Sequence, residues 1–595
     1  MRNNSFKLSS LLAMVLCFGL VGCGGNTSTS NVKQSTNTPT SSSVKESTNT
    51  QTSSSSKTSV ITSSSVKEKE FTSKVDAKLV EGEDYIDHNA TFFDDEYQYD
   101  DTMWYVNDLD DVPLPDPQVF AEDGVYYITG TSDATQCRQV EIYYTTDFVE
   151  FFKESKAYKP ASGGWEADNP LIYAPEIYCF DENYYLYYSA VSRYDGIRHN
   201  SVVVADNPLG PYEAIVNDEV DGFNEPLFAH AGRTALDSSI FVDDDGSMYM
   251  YYSEVLDGQV LAGVKLNSPY QADWDTYKVL GKAGYIDSDF NKEDAGKLYW
   301  EMYHGGPILE APYMLKSPNG QYYLTYSANG CWNKAYTVCY AVSDDPLGTF
   351  VKPYEEGGFW TNILFGYSGD NDAAGTVYNQ WSGFASGTGH HSFFNIGDQI
   401  MIGYHAHKNR NSNSGFTPRY FGMDYLYFDE EGVPFCNGPT YSLQPLPEDI
   451  SGYKNIAENA KVRSQNVDNA DAVNDNYIVD NYNIDTTPEV TLNGGYSYIE
   501  LTFDKEYSVG GIAIYNSAFY DKRIEDVVYV DFGNGNAVKY PEICYEKHLN
   551  YEYEFVFAGS GITLEFPENI KAKSVTLCFN VENPAAINEI KVLGK

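Results

Sequence analysis

The sequence has few basic residues, and this shortage limits the ligands that the protein can attract. Lys and Arg number 39 against 85 Asp and Glu in 595 residues, which gives a formal net charge of −46. Such a charge repels nucleic acid and anionic lipid headgroups. It is compatible with a soluble extracellular protein that meets neutral ligands, although acidity that only maintains solubility identifies no ligand.

Motifs of several enzyme classes are missing as well. The chain has no His-Glu-x-x-His zinc motif, no phosphate-binding loop and no Gly-x-Ser-x-Gly nucleophile elbow. Its nine cysteines show no metal-type spacing, and the odd number beyond residue 23 argues against a full disulfide framework. A pairing of Cys331 with Cys339 stays open.

The N-terminus lacks an apolar run long enough to span a bilayer comfortably, but it has the order of an export signal. Residues 1–22 place basic residues before the apolar run 11–20 and a small residue after it. Residues 20–23, Leu-Val-Gly-Cys, resemble the bacterial lipobox, which implies cleavage before Cys23 and lipidation of its thiol. We expect an extracellular protein anchored by lipid to the bacterial cell surface; the alternative is an ordinary signal with a chance cysteine.

The next segment, residues 23–75, is dominated by Ser and Thr and contains a near-repeat that begins SSSVKE. A segment of this composition cannot bury a core, so it predicts a disordered tether. The tether would hold the folded part of the protein away from the membrane.

Tyrosine is abundant instead, with 52 residues, and it recurs in a pattern of a turn followed by a Tyr-rich strand. The copies are residues 123–130, 182–189, 245–253, 319–327 and, more faintly, 397–404. Short strands and turns repeated at intervals of tens of residues indicate a propeller or a solenoid. Five copies predict an all-β fold with a five-bladed β-propeller over residues 76–450; a β-sandwich with fortuitous hairpins is the alternative.

A polar residue precedes each Tyr-rich copy by a similar distance. These residues are Asp116, Glu176, Asp237, Glu310 and His390. An offset of about ten residues corresponds to one strand and a turn, which would place all five on the innermost strands around the propeller axis. We therefore predict that they occupy equivalent positions and converge on one site.

Carboxyl groups in one site suit the hydrolysis of an acetal. One carboxylic acid protonates the leaving oxygen, and one carboxylate activates water or attacks carbon. A third carboxylate beside the acid raises its pKa, because like charges resist joint ionisation. Asp116, Asp237 and Glu310 can supply these three roles.

Six short motifs surround these residues in a fixed order. They are Pro-Asp-Pro at 115–117, Ala-Pro-Glu at 174–176, the segments 236–241 and 309–313, Gly-Thr-Gly-His at 387–390, and the turn 432–434. Over about residues 100–440 the chain thereby resembles glycoside hydrolase family 43. The resemblance implies that Asp116 is the general base, that Asp237 modulates the pKa and orientation of the acid, and that Glu310 is the general acid.

The same resemblance implies further roles at the site. Glu176 would support it, and Arg419 would contact sugar hydroxyls. Tyr173 stands where the family often has Trp and belongs to the sugar pocket. His390 would lie near the axis, beside a bound water or a structural calcium ion. No cofactor is required for the chemistry.

By this resemblance the chain is an inverting glycoside hydrolase acting on arabinose- or xylose-containing plant polysaccharide or oligosaccharide. An α-L-arabinofuranosidase is the first expectation, with β-xylosidase, endo-arabinanase and exo-galactanase as alternatives. A catalytically silent glycan-binding lipoprotein of the cell surface is the alternative from another class.

The pattern changes from about residue 452 onward. Residues 498–503 and 511–515 alternate apolar and polar side chains in the manner of strands. The region 452–595 resembles a discoidin-type, galactose-binding-like β-sandwich, as in carbohydrate-binding module family 32. A sugar-binding module and a structural appendage are both open, and Tyr482, Phe519 and Tyr520 are candidate sugar contacts.

Overall fold

The structure is a computed structural model in which most of the chain beyond residue 103 is described. It describes residues 78–80, 86–87, 103–107, 112–302, 306–333, 335–358, 361–366, 386–407, 418–440, 443–478, 489–517, 522, 524, 527–538, 549–550, 555–556 and 561–595. The predicted signal peptide, Cys23 and the predicted tether lie outside these residues. Within the described ranges, no helix is long and apolar enough to cross a membrane.

Three short strands precede the repeats: β1 (Lys78–Val80), β2 (Ile86–Asp87) and β3 (Trp104–Tyr105). Five antiparallel sheets of four strands follow, each an up-and-down meander in chain order. Blade 1 contains β4 (Gln118–Glu122), β5 (Val125–Thr129), β6 (Val140–Thr145) and β7 (Phe152–Tyr158). Blade 2 contains β8 (Tyr173–Phe180), β9 (Asn183–Val191), β10 (Arg198–Ala205) and β11 (Glu213–Ala214). Blade 3 contains β12 (Ala235–Val242), β13 (Met248–Leu256), β14 (Gly258–Ser268) and β15 (Gln271–Gly281). Blade 4 contains β16 (Leu309–Lys316), β17 (Tyr322–Ala328), β18 (Thr337–Ser343) and β19 (Ile363–Phe365). Blade 5 contains β20 (Ser386–Ile396), β21 (Gln399–His407), β22 (Arg419–Phe428) and β23 (Pro434–Cys436).

The five sheets form a closed ring around the first strand of each blade. Strands β4, β8, β12, β16 and β20 each contact the next, and β20 contacts β4. This arrangement confirms the predicted five-bladed β-propeller. Each Tyr-rich copy is the second strand of its blade: β5, β9, β13, β17 or β21.

The tyrosines of the second strands form much of the core between blades. Tyr187 and Tyr251 are fully buried, and their hydroxyls donate to backbone carbonyls of the next blade, at Pro269 (2.6 Å) and Pro346 (2.8 Å). A tyrosine ring therefore fills the space between two sheets while its hydroxyl satisfies a carbonyl on the far side. This double role explains why tyrosine, rather than phenylalanine, dominates the repeat.

The segment before blade 1 fastens the ring at blade 5. The side-chain amide of Asn107 donates to the carbonyls of Met423 and Thr440, both at 2.9 Å, and its oxygen accepts from the N–H of Met423 at 2.9 Å. Strand β3 pairs with β24 (Gln444–Pro445), which follows blade 5. The first and last parts of the propeller are thus joined by backbone and side-chain hydrogen bonds.

The C-terminal region is a second sheet-rich domain. A short helix, α1 (Glu448–Ser451), precedes its strands. The strands are β25 (Lys454–Asn455), β26 (Lys461–Gln465), β27 (Val467–Asp468), β28 (Val490–Leu492), β29 (Gly495–Asn516), β30 (Val527–Asp531), β31 (Asn536–Val538), β32 (Leu549–Asn550), β33 (Phe555–Val556), β34 (Gly561–Val581) and β35 (Ala585–Gly594). The long strand β29 pairs with β34, β35 and β26 and contributes to one apolar core. Single 3₁₀ turns occur at Asp133–Thr135, Tyr299–Met302 and Ala470–Asn474.

Two strands from the start of the predicted propeller region belong to this second domain. Strand β1 pairs in parallel with β31, and β2 pairs antiparallel with β34. The predicted propeller boundary at residue 76 is therefore too early for these strands, because their hydrogen bonds are made to the C-terminal sheet. Sequence could not show this, since each strand has three residues or fewer.

The propeller and the C-terminal domain share a buried contact. Trp104 lies in one apolar cluster with Leu443, Ala513, Tyr515 and Leu593, all buried. The clustered residues come from both domains, so the two halves are packed against each other directly. Elsewhere, Cys331 and Cys339 are both free thiols, so the pairing left open by the sequence does not occur.

Candidate active site

In every blade, a non-glycine residue with left-handed backbone geometry lies within the first five residues of the first strand or two residues before it. These residues are Asp116 (φ 57°), Ala174 (φ 43°), Asp237 (φ 54°), Ala311 (φ 52°) and His390 (φ 45°). In blades 2 to 5 the register with the second strand shifts at this point, which is a β-bulge. Bulges re-aim side chains and are frequent beside active sites.

Glu176 and Glu310 do not occupy the bulge position. Glu310 lies one residue before Ala311, and Glu176 lies two residues after Ala174. The prediction that all five polar residues are equivalent is therefore wrong for these two. In both blades an Ala-Pro pair forms the bulge, and Glu310 stands where blade 2 has Tyr173.

The backbone of the site is fixed by hydrogen bonds between blades. In four blades, the N–H of the left-handed residue donates to a side chain of the preceding blade. The pairs are Asp116 with His405 Nδ1 (3.1 Å), Ala174 with Thr131 Oγ1 (3.0 Å), Ala311 with Asp237 Oδ2 (3.2 Å), and His390 with Ser327 Oγ (2.8 Å). Since one of these pairs joins blade 5 to blade 1, the same set of bonds closes the ring.

Asp116 is buried among positive and hydrogen-bonding groups. Arg419 donates to Asp116 Oδ1 at 2.8 Å, and Thr131 donates to Oδ2 at 2.6 Å. His390 Nδ1 and His405 Nδ1 lie 3.3 and 3.4 Å from Oδ1. Burial alone would raise the pKa of Asp116, but Arg419, with contributions from the two histidines, holds it well below the usual range. Asp116 is therefore a carboxylate at neutral pH.

The two histidines beside Asp116 are neutral at neutral pH. Burial lowers the pKa of His390 to about 4 and that of His405 to about 3, although the charge of Asp116 acts in the opposite direction. The ring of His405 is stacked on Tyr336, with centroids 5.5 Å apart and an interplanar angle of 7°. Arg419 is therefore the main positive charge against Asp116.

The residues around His390 offer little to a metal ion. Among the described residues, no three His, Cys, Asp or Glu side chains are grouped so that they could hold one. Near His390, Asp116 Oδ1 already accepts from Arg419. The described protein side chains in this part of the chain thus form no group of three ligands for a calcium ion.

Glu310 and Asp237 have a different environment on the other side of the site. Glu310 Oε2 accepts from Gln259 Nε2 at 2.9 Å, and Asp237 Oδ2 accepts from the N–H of Ala311 at 3.2 Å. Burial raises the pKa of Glu310 to about 7 and the charge of Asp116 adds to the rise, whereas hydrogen bonds from Tyr336 and Gln259 lower it. Burial first, and then the charges of Glu310 and Asp116, raise the pKa of Asp237 well above its usual range. Burial is thus the first cause of the proton on Glu310, ahead of the like-charge effect that the sequence suggested.

Tyr173 and Glu176 lie on the first strand of blade 2 in separate surroundings. The guanidinium of Arg198 lies over the ring of Tyr173, 3.8 Å from its centroid. Arg198 also lowers the pKa of Asp237, so this pair belongs to the electrostatics of the site. Glu176 is buried and accepts a hydrogen bond from Tyr178, and burial raises its pKa to about 8.

Besides Tyr336, which lowers the pKa of Glu310, sequence reasoning missed four residues that contact or influence the carboxyl groups: Thr131, Arg198, Gln259 and His405. His405 lies in a His-x-His pair on the second strand of blade 5, a signal that could have been noticed. The other three come from loops or later strands without a local motif. Together with the predicted residues they produce one ionised carboxylate and one carboxyl that titrates near neutral pH, which is the pairing required of a base and an acid.

The chain is similar to several known proteins. A family model described as glycosyl hydrolases family 43 matches residues 111–434. A xylosidase/arabinosidase of Humicola insolens is 30% identical over 177 residues, which are 26% of this chain and 50% of that protein. A β-D-galactofuranosidase of Aspergillus niger is 24% identical over 338 residues, 55% of this chain and 81% of that protein. The crystal structure of an endo-1,4-β-xylanase from Bacteroides thetaiotaomicron is 28% identical with a TM-score of 0.43, and the match covers 56% of this chain and 96% of that one.

The first of these relatives is matched over half of its length, so its name describes that protein and not this one. The family model, in contrast, spans more than half of the 595-residue chain and contains every blade of the propeller except the last two residues of β23. On that match, and with the carboxyl groups arranged as described, the chain belongs to glycosyl hydrolases family 43.

Proposed function

We propose that this protein is an inverting glycoside hydrolase with Asp116 as general base and Glu310 as general acid. The observation that supports it is the opposite shift of two carboxyl groups in one site: the pKa of Asp116 is held well below its usual range, and that of Glu310 is raised to about 7. Asp116 removes a proton from a water molecule while the water oxygen attacks the anomeric carbon. The glycosidic C–O bond breaks, and Glu310 gives its proton to the leaving oxygen.

The remaining residues of the site would assist these two. Asp237 accepts from the N–H that follows Glu310 and would modulate the acid's pKa and orientation. Arg419 keeps Asp116 ionised through a 2.8 Å hydrogen bond and would use its remaining N–H groups on sugar hydroxyls. Tyr173, stacked under Arg198, would form one wall of the sugar pocket, and Glu176 would support blade 2 from inside the ring.

The proposed substrate is an arabinose- or xylose-containing plant polysaccharide or oligosaccharide, with α-L-arabinofuranosidase as the first activity. The relative named a xylosidase/arabinosidase supports this substrate class. The relative named a galactofuranosidase adds that a furanose ring is accepted by a protein of related sequence. β-Xylosidase, endo-arabinanase and exo-galactanase are the competing activities.

Three substrates separate these activities. The full chain is incubated with an aryl α-L-arabinofuranoside, an aryl β-D-xyloside and linear arabinan, and released product is measured. Faster release of product from the arabinofuranoside than from the other two substrates supports the proposal. Proton NMR at early times identifies the anomer formed and so distinguishes inversion from retention. Tight glycan binding in calorimetry without any release would instead indicate a glycan-binding protein without catalysis.

We propose further that Cys23 carries a lipid that holds the protein at the outside of the cell. A single acyl chain binds a membrane only marginally, so stable anchoring needs more than one chain. Cys23→Ala should move the protein from the membrane fraction to the medium, while Cys17→Ala, a cysteine within the leader, should not. Membrane retention of the Cys23 variant would contradict the lipobox assignment.

The C-terminal domain is proposed to be a discoidin-like sugar-binding module that holds the enzyme near its substrate. Its three candidate contacts, Tyr482, Phe519 and Tyr520, lie outside the described residues. The full chain should stay bound to insoluble arabinoxylan when free arabinose saturates the propeller site. Complete release by free arabinose would favour a structural appendage.

A further inference from the structure

The turn between β13 and β14 in blade 3, together with the first two residues of β14, reaches across to the segment that leads into blade 4. The N–H of Gln259 donates to the carbonyl of Pro307 at 2.9 Å, and Gln259 forms a parallel bridge with Ile308. Gly258 has a φ of 88°, and a Cβ built on it would lie 2.8 Å from the oxygen of Pro307. The close approach of the two backbones therefore depends on glycine at this position.

The same turn brings a side chain to the proposed acid. Gln259 Nε2 donates to Glu310 Oε2 at 2.9 Å, and Glu310 follows the bridged residue Ile308 by two positions. One residue of blade 3 thus contacts both the backbone that carries the acid and the carboxyl group itself. Two contacts of this kind fix the position of the carboxyl group and its rotation about the last side-chain bond.

The direction of this hydrogen bond has a chemical consequence. In a protonated carboxyl group the carbonyl oxygen accepts hydrogen bonds better than the hydroxyl oxygen does, so an amide N–H that points at Oε2 favours Oε2 as the carbonyl oxygen. A proton carried by Glu310 is therefore placed on Oε1, the oxygen that Gln259 does not occupy. An acid is efficient only when its proton faces the atom that receives it.

We infer that Gln259 is a positioning residue for Glu310 that holds the acidic proton on Oε1 and directs it to the leaving oxygen. The inference rests on the proposed role of Glu310 as general acid. It assigns a task to the β13–β14 turn, whose sequence carries no recognised motif. Gln259 acts through Glu310, so its loss should affect protonation of the leaving group more than binding of the sugar.

The pH dependence provides a readout that a purely structural role would not move. A donor on Oε2 stabilises the ionised form of Glu310, in agreement with the lowering that Gln259 exerts on its pKa. Glu310 must be protonated to act, so activity is lost at high pH as it ionises. Removal of the donor raises the pKa of Glu310 and should move the alkaline limb of kcat/KM to higher pH, by about one unit.

The experiment compares Gln259→Met with the parent on aryl and alkyl glycosides of the same sugar. An aryl leaving group needs little protonation and an alkyl one needs much, so we expect kcat to fall about tenfold for the alkyl glycoside and far less for the aryl one. Gln271→Met, the same change on β15 where Gln271 contacts the exposed Glu219, is the control and should change neither ratio nor limb.

A thermal melt shows whether Gln259→Met is folded. If it folds poorly, a second variant tests the same inference. Gln259→Glu is nearly isosteric and places a carboxylate beside Glu310, so it should move the alkaline limb further than Met does. Carbon-13 NMR titration of the Glu310 carboxyl follows the same shift without any substrate. An unchanged titration and an unchanged alkyl-to-aryl ratio in folded Gln259→Met would overturn the inference. A parent protein that hydrolyses no glycoside would overturn the proposed function instead, and the titration would still decide the role of Gln259.

Discussion

The two flanks of the site place buried carboxyl groups in opposite electrostatic surroundings. The base flank, formed by blades 5, 1 and their loops, consists of Asp116, Thr131, His390, His405 and Arg419. The acid flank, formed by blades 3 and 4, consists of Asp237, Gln259, Glu310 and Ala311. A guanidinium touches the carboxyl group of the base flank at 2.8 Å, whereas the acid flank has neutral donors at 2.9 and 3.2 Å.

This difference separates the effect of burial from the effect of a partner. Burial pushes the pKa of Asp116, Asp237 and Glu310 upward alike, because a low-dielectric surrounding disfavours the charged form. Only on the base flank does a full positive charge overcome it. The carboxyl groups of the proposed base and the proposed acid thus differ in pKa because an arginine donates a hydrogen bond to the first of them.

The base flank should be the more sensitive to loss of its carboxylate. Asp116→Asn leaves no group to activate water, so activity should fall by about 10³-fold or more on both aryl and alkyl glycosides. Initial rates with both substrate types measure this. Asp123→Asn, in the exposed turn after β4, is the control and should retain full activity. An Asp116→Asn enzyme with a tenth of the parent rate would place the base elsewhere.

Loss of the acid should depend on the leaving group. Glu310→Gln keeps the shape but cannot donate a proton, so hydrolysis of alkyl and natural glycosides should fall by about 10²-fold or more while aryl glycosides are partly spared. The ratio of kcat/KM for the two substrates is the measurement, with the exposed Glu182→Gln as control. Equal losses on both substrates, in a folded variant, would show that Glu310 is not the acid.

The arginine itself can be removed to make the two flanks alike. Without Arg419 the pKa of Asp116 rises, and the acid limb of kcat/KM, below which Asp116 is protonated, should move to higher pH by about one unit or more. Arg419→Met tests this in a pH–rate profile. Arg463→Met, which removes a half-exposed arginine of the C-terminal domain, should leave the limb in place. A limb unmoved in Arg419→Met would mean that Asp116 does not set it.

The smallest effect is expected from the second carboxyl of the acid flank. Asp237→Asn removes a buried carboxyl group whose titration is linked to that of Glu310, so the alkaline limb should move to lower pH, by about half a unit, together with a fall in activity. The shift is small because burial, not Asp237, is the first cause of the raised pKa of Glu310. A move of the limb to higher pH would contradict the modulating role.

The sequence predicted the number of blades and their second strands because tyrosine marks every one of them. It did not predict the alignment of the first strands, because Asp116, Asp237 and His390 themselves have the left-handed backbone geometry, whereas Glu310 precedes the left-handed Ala311 by one residue. A bulge adds a residue without a mark in the composition. An approximate distance from the Tyr-rich strand therefore does not reveal that the polar residues of different blades are offset by one or two positions.

Contacts between side chains of different blades could not be predicted from the sequence for a different reason. Gln259 and His405 are far along the chain from Glu310 and Asp116. Packing of blade 3 against blade 4 brings the first pair together, and closure of the ring between blades 5 and 1 brings the second pair together. The C-terminal domain was predicted as sheet-rich, and it is, but strands β1 and β2 of only a few residues could not be assigned to it from their composition.

The hydrogen bonds that join the first strands of neighbouring blades indicate which residue can be replaced to obtain an inactive but folded variant. The N–H of Asp116 donates to His405, whereas its side chain carries the proposed role of base, so replacing the side chain leaves that hydrogen bond intact. Asp237 is different, since its carboxyl oxygen is itself the acceptor that secures Ala311. An inactive, correctly folded variant that binds an intact glycan is therefore best made by replacing Asp116. The glycan bound to such a variant would identify the proposed substrate.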